Sequence, residues 1–181
     1  RQHVKRVLVY LGTLDRPRRI EILFDMLARV RLVIPDALLV LAGDTADMVH
    51  RTWLEKKALA AGVADFVVWT GWLPMKQGWR YVRAAEVALS PIPRGALLDC
   101  GSPTKVPEYL SLGVPVVCND NPDQRKVIEE SGAGLCVPYT AEQFADAVIV
   151  LLQKSAGEGN STPGAEYVKA QRSYAHIASK V

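Results

Sequence analysis

Three polar residues in the middle of the chain, Thr104, Lys105 and Glu108, have the types and spacing of an anion-binding site. They follow Ser102 and Pro103, a hydroxyl and a proline that together predict a helix beginning near Pro103. In its first turn the free amides of Thr104 and Lys105, the helix dipole and the Lys105 ammonium would attract an anion. Glu108 lies one turn further along the same face, where a carboxylate can bind a diol. The spacing fits a surface ion pair between Lys105 and Glu108 equally well.

The elements around this helix predict a parallel sheet. Gly113 ends the helix, and the apolar run 114–118 that follows is typical of a strand buried on both faces. Strands are predicted at 7–11, 38–43, 66–70, 87–90, 114–118 and 135–137, and helices at 20–34, 45–61, 76–83, 103–113, 122–130, 140–152 and 167–180. This alternation predicts an α/β fold, a Rossmann-like doubly wound parallel sheet of about six strands.

Several ligand-binding candidates fall at the carboxyl ends of the predicted strands, where ligands of such sheets gather. Gly12 follows the first strand, Gly71 follows the third, and the segment 91–102 links the fourth to the Pro103 helix start. We expect them to converge on one pocket that suits a nucleoside diphosphate. The loop 91–101 is rich in Pro, Gly and Leu, and we expect it to shift when a ligand binds.

The stretch 100–121 resembles the donor-site helix of retaining glycosyltransferases with the GT-B fold, family four of the group 1 type. The resemblance lies in a Ser-Pro-x-Lys-x-x-Glu-Tyr motif and in the Gly-x-Pro-Val-Val strand that begins at Gly113. The motif comprises Ser102, Pro103, Lys105, Glu108 and Tyr109. Weaker matches follow the family's order at 10–14, 41–44, 69–74, 85–91 and 130–135, so the resemblance covers about residues 10 to 152.

The resemblance implies a role for Glu108 and a gap in sugar recognition. Glu108 corresponds to the glutamate that holds the ribose hydroxyls of the nucleotide in this family. The family's other glutamate, which contacts the transferred sugar, would stand at Cys100 and is absent. Asp99 is one residue away, and either Asp99 or Cys100 would take its place.

The turn after the first strand faces the diphosphate in this family, and an arginine and a lysine there bind the phosphates. Gly12 begins that turn here, with Thr13 at the arginine position and Arg18 at the lysine position, beside Arg16 and Arg19. A guanidinium can bind two phosphate oxygens at once. A solvated helix start is the alternative, but cations there are unfavourable unless an anion is bound.

The family also implies where the base and the remaining donor contacts lie. Backbone groups of Gly71, Trp72 and Leu73 would hold the nucleobase, although half-buried packing is an equal alternative for the Trp72 side chain. The loop residues Ser102, Pro103 and Thr104 would complete the donor site.

The resemblance implies a glycosyltransferase that moves a sugar from a nucleotide diphosphate-sugar to a polysaccharide, lipid-linked or other acceptor. The anomeric configuration would be retained, and neither a metal nor another cofactor would be required. Arg18 and Lys105 would stabilise the leaving diphosphate and Glu108 would fix the ribose. The acceptor would bind mainly to an N-terminal domain that this chain lacks, so the chain alone is expected to bind and not to turn over.

The composition of the chain argues against several other classes of protein. With 181 residues, 49% of them hydrophobic, the chain has the size of one compact domain, and its net charge of +3 argues against nucleic acid. Three scattered cysteines and three scattered histidines predict neither a disulfide framework nor a metal site. No apolar run spans a bilayer, so we expect a cytoplasmic protein, with family analogy allowing peripheral association at the inner membrane face.

We expect residues 1–154 to form the nucleotide-sugar-binding domain. Residues 155–181 are expected to form a flexible joint, at 155–164, and a C-terminal helix that packs on the N-terminal domain. The chain begins with Arg1 and not with Met, which suggests a piece of a longer protein.

Two other functions remain open from the sequence. An NAD-dependent oxidoreductase shares the fold, but the segment 12–17 holds one glycine and not Gly-x-Gly-x-x-Gly. A non-catalytic nucleotide-binding module is the second alternative. The base, the sugar, the acceptor and the oligomeric state are not predicted.

Overall fold

The computed structural model describes residues 5–155 and 163–173, and the single positions 176 and 178. Within these residues one six-stranded sheet runs in the order β3-β2-β1-β4-β5-β6, and every neighbouring pair is parallel. The strands are β1 Arg6–Leu11, β2 Ala37–Ala42, β3 Val67–Trp69, β4 Val87–Ser90, β5 Val116–Asn119 and β6 Gly134–Val137. This is the doubly wound order that reverses between β1 and β4, and the predicted fold class is confirmed.

Helices cover both faces of the sheet. They are α1 Ile22–Val33, α2 Met48–Ala60, α3 Met75–Arg83, α4 Ala96–Asp99, α5 Lys105–Ser111, α6 Pro122–Ser131, α7 Ala141–Ser155 and α8 Pro163–Tyr167. Helices α1, α2 and α7 pack on one face, and α3, α5 and α6 pack on the other. Neighbouring residues of β1 point to opposite cores, Leu8 and Tyr10 to the first and Val9 to the second. Burial on both sides explains why the strands are apolar almost throughout.

Helix α2 differs from its predicted form. It begins at Met48 rather than at residue 45, because the Asp47 side chain accepts a hydrogen bond from His50 N and caps the helix. Its buried face is His50, Leu54 and Ala58, spaced four residues apart. Met48 is 68% exposed and Leu59 69% exposed. The observed helix phase turns both away from the sheet.

The segment after residue 162 also differs from the prediction. Helix α8 continues as one π-helical turn, Val168–Arg172, and packs against α5 and α6 of the same domain. Ser155 ends α7 and residues 163 and 164 begin α8, so the predicted joint is shortened at both ends, and 156–162 lie outside the described residues. Packing on an N-terminal domain stays a prediction. The division at residue 154 stays a prediction.

Among the described residues, no helix combines the length and the apolar character needed to cross a membrane.

Candidate functional site

A crevice opens where β1 and β4 separate. The two strands pair only through Leu8 with Val87 and Val9 with Ala88, although β1 continues to Leu11 and β4 to Ser90. Their carboxyl ends therefore lie apart, as expected at the switch point of a doubly wound sheet. The turn after β1, the loop after β4 and the start of α5 border this space.

Lys105, the first residue of α5, lies directly over the turn after β1. A Cβ atom built on Gly12 would be 2.7 Å from Lys105 Cε and 2.8 Å from its Nζ. The Nζ also lies 5.3 Å from the centroid of the Tyr10 ring. Any side chain at position 12 would displace the lysine, so the absence of one at Gly12 is what admits the ammonium group to the crevice.

The Lys105 ammonium has no ion-pair partner among the described residues. Its pKa is lowered from 10.5 to about 8, first by burial and then by the positive charge of Arg18, while the charge of Glu108 acts in the opposite direction. Among the described residues it forms no ion pair within 4.0 Å, with Glu108 or with any other acid. The surface pair that spacing allowed is therefore not formed. A largely buried cation without a partner is costly and suits an anionic ligand.

Arg18 is the second cation of the crevice. It ends the short 3-10 turn Arg16–Arg18 and is half-buried, and no described acid pairs with it. Arg16 is instead held at the surface, where its Nε lies 3.0 Å from Asp47 Oδ2. Thr13 presents its carbonyl inward, accepting a hydrogen bond from Tyr10 Oη at 3.0 Å. The structure thus brings Arg18 to Lys105 and directs Arg16 elsewhere.

The ends of β2 and β3 lie beside the Gly12 turn that follows β1. A Cβ atom on Gly43 would overlap Gly12 O, and Gly43 forms an antiparallel bridge with Gly71. Three glycine turns therefore stack at this edge, which places the predicted base-binding loop beside the predicted phosphate-binding turn. Leu73 packs against the core formed with α3, α5 and α6, while Trp72 is 62% exposed, too exposed for a packing role.

The first turn of α5 faces the crevice with free amides. Its first helical hydrogen bond runs from Glu108 N to Thr104 O, at 3.0 Å, and Pro107 has no N–H to offer. The amides of Thr104, Lys105 and Val106 precede that bond, as in any helix start. The helix begins two residues later than predicted, because Thr104 and not Ser102 is its N-cap residue.

The loop after β4 is tied to the connection between β5 and α6. The Asn119 side chain accepts from Ile92 N at 2.6 Å and donates to Ile92 O at 2.7 Å. Asn121 Nδ2 donates to Leu98 O at 3.0 Å, and Arg94 Nη1 donates to Asp120 O at 2.9 Å. Nothing in the sequence predicted these anchors. A ligand-induced shift of this loop stays a prediction and would have to break some of them.

Of the two residues predicted to contact the sugar, Asp99 and Cys100, the first already has a partner within the protein. Asp99 ends α4 and binds Arg94 through both carboxylate oxygens, at 2.8 and 3.1 Å, and this contact lowers its pKa. Cys100 follows it and is exposed as a free thiol. Ser102 Oγ donates to Asp123 Oδ2 at 2.9 Å, and Pro103 is half-buried at the rim. Lys105 and Arg18 pair with no described acid, whereas Asp99 already has a partner.

No group of three His, Cys, Asp or Glu side chains suited to a metal occurs in the described part of the chain.

The fold and the crevice together define a general class of protein domain. A parallel doubly wound sheet, with two cations at its switch point that pair with no described acid, is a Rossmann-like domain with a site suited to an anion. The sequence model of the family Glycosyl transferases group 1 matches residues 5–154, and the chain belongs to this family. The resemblance found in the sequence is thereby confirmed. The comparison with curated proteins gave no match.

Solved glycosyltransferases share this fold. Sucrose-phosphate synthase from Thermosynechococcus elongatus aligns with a TM-score of 0.79 and 23% identity, over 97% of this chain and 43% of that one. The C-terminal domain of LpcC, a glycosyl transferase group 1 family protein from Francisella tularensis, gives 0.76 and 16%, over 93% and 87%. HepE from Anabaena, solved with UDP and glucose, gives 0.73 and 16%, over 98% and 49%. The chain thus spans less than half of the synthase and of HepE.

Proposed function

We propose that this chain is the donor-binding half of a retaining glycosyltransferase, which takes a sugar from a nucleotide diphosphate-sugar. The observation that carries the proposal is the position of Lys105 Nζ over Gly12, with Arg18 close enough to depress its pKa. Two unpaired cations at the switch point match the charge of a diphosphate.

The proposed chemistry assigns charge neutralisation to these cations. When the bond between the sugar and the diphosphate breaks, negative charge grows on the leaving phosphate, and Lys105 and Arg18 stabilise it. The amides of Thr104 and Lys105 assist from the start of α5. Because side chains supply this charge, we propose a reaction that requires no bound metal.

The nucleoside would extend from the diphosphate to the neighbouring elements. Glu108 lies on α5 one turn from Lys105, is half-buried and has no ion pair with it, so its carboxylate is available to the ribose hydroxyls. The loop Gly71, Trp72 and Leu73 would receive the base, since the stacked glycine turns place it next to Gly12. HepE, which was solved in complex with UDP and glucose, supports a nucleotide as the ligand.

The binding site of the acceptor is proposed to lie outside this chain. We propose a polysaccharide, lipid-linked or other acceptor bound mainly by a second, N-terminal domain, in a cytoplasmic protein that can associate peripherally with a membrane. The C-terminal domain of LpcC, which this chain covers to 87%, was crystallised as a separate domain. The chain alone is expected to bind the donor without transferring the sugar.

Calorimetric titration with UDP, GDP, ADP, NAD and inorganic pyrophosphate tests the proposal. One nucleoside diphosphate should bind more tightly than NAD. Arg18→Gln should weaken it at least about tenfold, or about 1.4 kcal/mol, through loss of a phosphate contact. Arg19→Gln removes the same charge from an exposed neighbour that contacts Glu21, and should change little. Equal losses in both variants, or preferred binding of NAD, would reject the proposal.

Glu108→Gln separates the ribose contact from the phosphate contact. The variant should bind the nucleoside diphosphate more weakly but bind pyrophosphate no more weakly than the parent does, because only the nucleotide carries a ribose and the lost negative charge repels an anion. A matching loss for pyrophosphate would show that Glu108 does not act on the ribose.

A further inference from the structure

The last residue of β1 has backbone groups without a strand to pair with. Successive residues of a parallel strand direct their peptide groups to opposite neighbours. Gly12 N donates to Ala42 O on the β2 side, and Val7 O accepts from Glu86 N on the β4 side. Leu11 has the same parity as Val7 and therefore faces β4, but β4 has already separated from β1 at this point.

The Tyr109 hydroxyl takes the place of the missing strand. It accepts a hydrogen bond from Leu11 N at 2.9 Å and donates one to Leu11 O at 3.3 Å. The tyrosine is fully buried, and burial raises the pKa of its hydroxyl, so it stays protonated and can act as donor and acceptor together. Phenylalanine would fill the same volume and satisfy neither group.

Tyr109 joins the two elements that meet at the cationic crevice. It lies on α5 four residues after Lys105, and it binds the residue immediately before Gly12. We propose that Tyr109 is a positioning residue: its hydroxyl fixes the end of β1 to α5 and so sets the Lys105 ammonium over the Gly12 turn. This proposal rests on the proposed function only where it concerns the bound diphosphate.

The geometry explains why this link matters for Lys105. The lysine sits within van der Waals reach of Gly12 and over the Tyr10 ring, so a small movement of the turn changes its surroundings. Without the Tyr109 hydroxyl, Leu11 N–H and C=O would seek water, because unsatisfied backbone groups are costly. Water entering there would hydrate the Lys105 ammonium and misplace it relative to a phosphate.

A ligand-free experiment tests the positioning role alone. In Tyr109→Phe, amide hydrogen exchange at Leu11 should be faster, and the pKa of Lys105, followed by NMR, should rise from about 8 toward 10.5. Tyr167→Phe is the control, since it also removes a tyrosine hydroxyl bond, from Tyr167 Oη to Glu130 Oε2 at 2.5 Å, away from the crevice. An unchanged Lys105 titration in a folded Tyr109→Phe would reject the proposal.

A binding experiment tests the consequence for the diphosphate. Tyr109→Phe should weaken UDP, or whichever nucleoside diphosphate the parent binds, about tenfold. In a Lys105→Met background the same change should have little further effect, because the two residues act through one contact. Additive losses would mean that Tyr109 does not act through Lys105. If the parent binds no nucleoside diphosphate, the proposed function fails, while the ligand-free titration still decides the role of Tyr109.

If Tyr109→Phe does not fold, a measurement on the parent protein still tests the proposal. Leu11 N–H should be among the slowly exchanging amides, although no strand pairs with it. Rapid exchange at Leu11 in the parent would show that the Tyr109 bond is not maintained and would overturn the proposal.

Discussion

Lys105 carries a charge that its surroundings oppose. Burial and the neighbouring Arg18 both lower its pKa, and no described acid pairs with it. A charged group held with a strongly shifted pKa at the end of a crevice is typical of a binding site. The residue types at 104, 105 and 108 could be predicted to bind an anion. Spacing alone could not show whether Lys105 pairs with Glu108 or reaches Gly12, because the second contact depends on the meeting of β1 and α5.

Lys105→Met should therefore stabilise the ligand-free protein at neutral pH. The pKa of Lys105 is about 8 in the folded protein and 10.5 ordinarily, so between these values the unfolded chain holds more protons. Stability of the parent should rise with pH through that window. At pH 7 the variant should exceed the parent by about 1 to 3 kcal/mol, and the difference should shrink above pH 10.

Urea unfolding at a series of pH values measures this difference. Lys76→Met, which changes an exposed lysine on α3, is the matched control and should show no such trend. A Lys105→Met protein that is less stable than the parent at pH 7 would contradict an unpaired, desolvated charge.

At the scale of elements, the sequence predicted features that depend on local patterns better than features that depend on contacts between distant residues. The strand β4 was predicted at its observed bounds, because a strand buried on both faces is an uninterrupted apolar run. The start of α2 was predicted at residue 45 and lies at Met48, since the cap at Asp47 was not recognised in the sequence. The anchoring of the loop after β4 could not be predicted, because Asn119 reads as the end of a strand and its partner Ile92 is 27 residues away.

Asn119→Ala should destabilise the protein strongly. It leaves Ile92 N–H and C=O unpaired in a buried position, at about 1 to 3 kcal/mol for each group. Asn121→Ala is the comparison, because it removes one bond to Leu98 O together with a buried acceptor, Oδ1, that has no partner in the described residues. Urea unfolding should give the larger loss for Asn119→Ala, and equal losses would contradict the anchoring role.

At the scale of the whole molecule, the C-terminal segment belongs to the same body as the site. Gly164 packs against Leu110 of α5, and Arg172 Nη2 lies 3.0 Å from Asp123 Oδ1 on α6. The sequence did not predict this contact, because an isolated amphipathic helix does not identify its partner. Its buried small residue and its ion pair to α6 identify that partner in the structure.

Removing residues 163–181 should lower the midpoint of urea unfolding, because it exposes the apolar sides of α5 and α6. Arg172→Gln removes only the ion pair and should cost about 1 kcal/mol or less, as is usual for pairs near the surface. An unchanged midpoint after the deletion would mean that the segment rests on another surface, as the sequence had predicted.

The position of a bound diphosphate tests the central claim most directly. In a co-crystal structure with the nucleoside diphosphate selected by titration, we expect a phosphate oxygen about 3 Å from Lys105 Nζ, a hydrogen-bonding distance. Arg18 should contact the same diphosphate, and the ribose should lie at Glu108. A nucleotide bound elsewhere, or bound with its phosphates turned away from Lys105 and Gly12, would contradict the account.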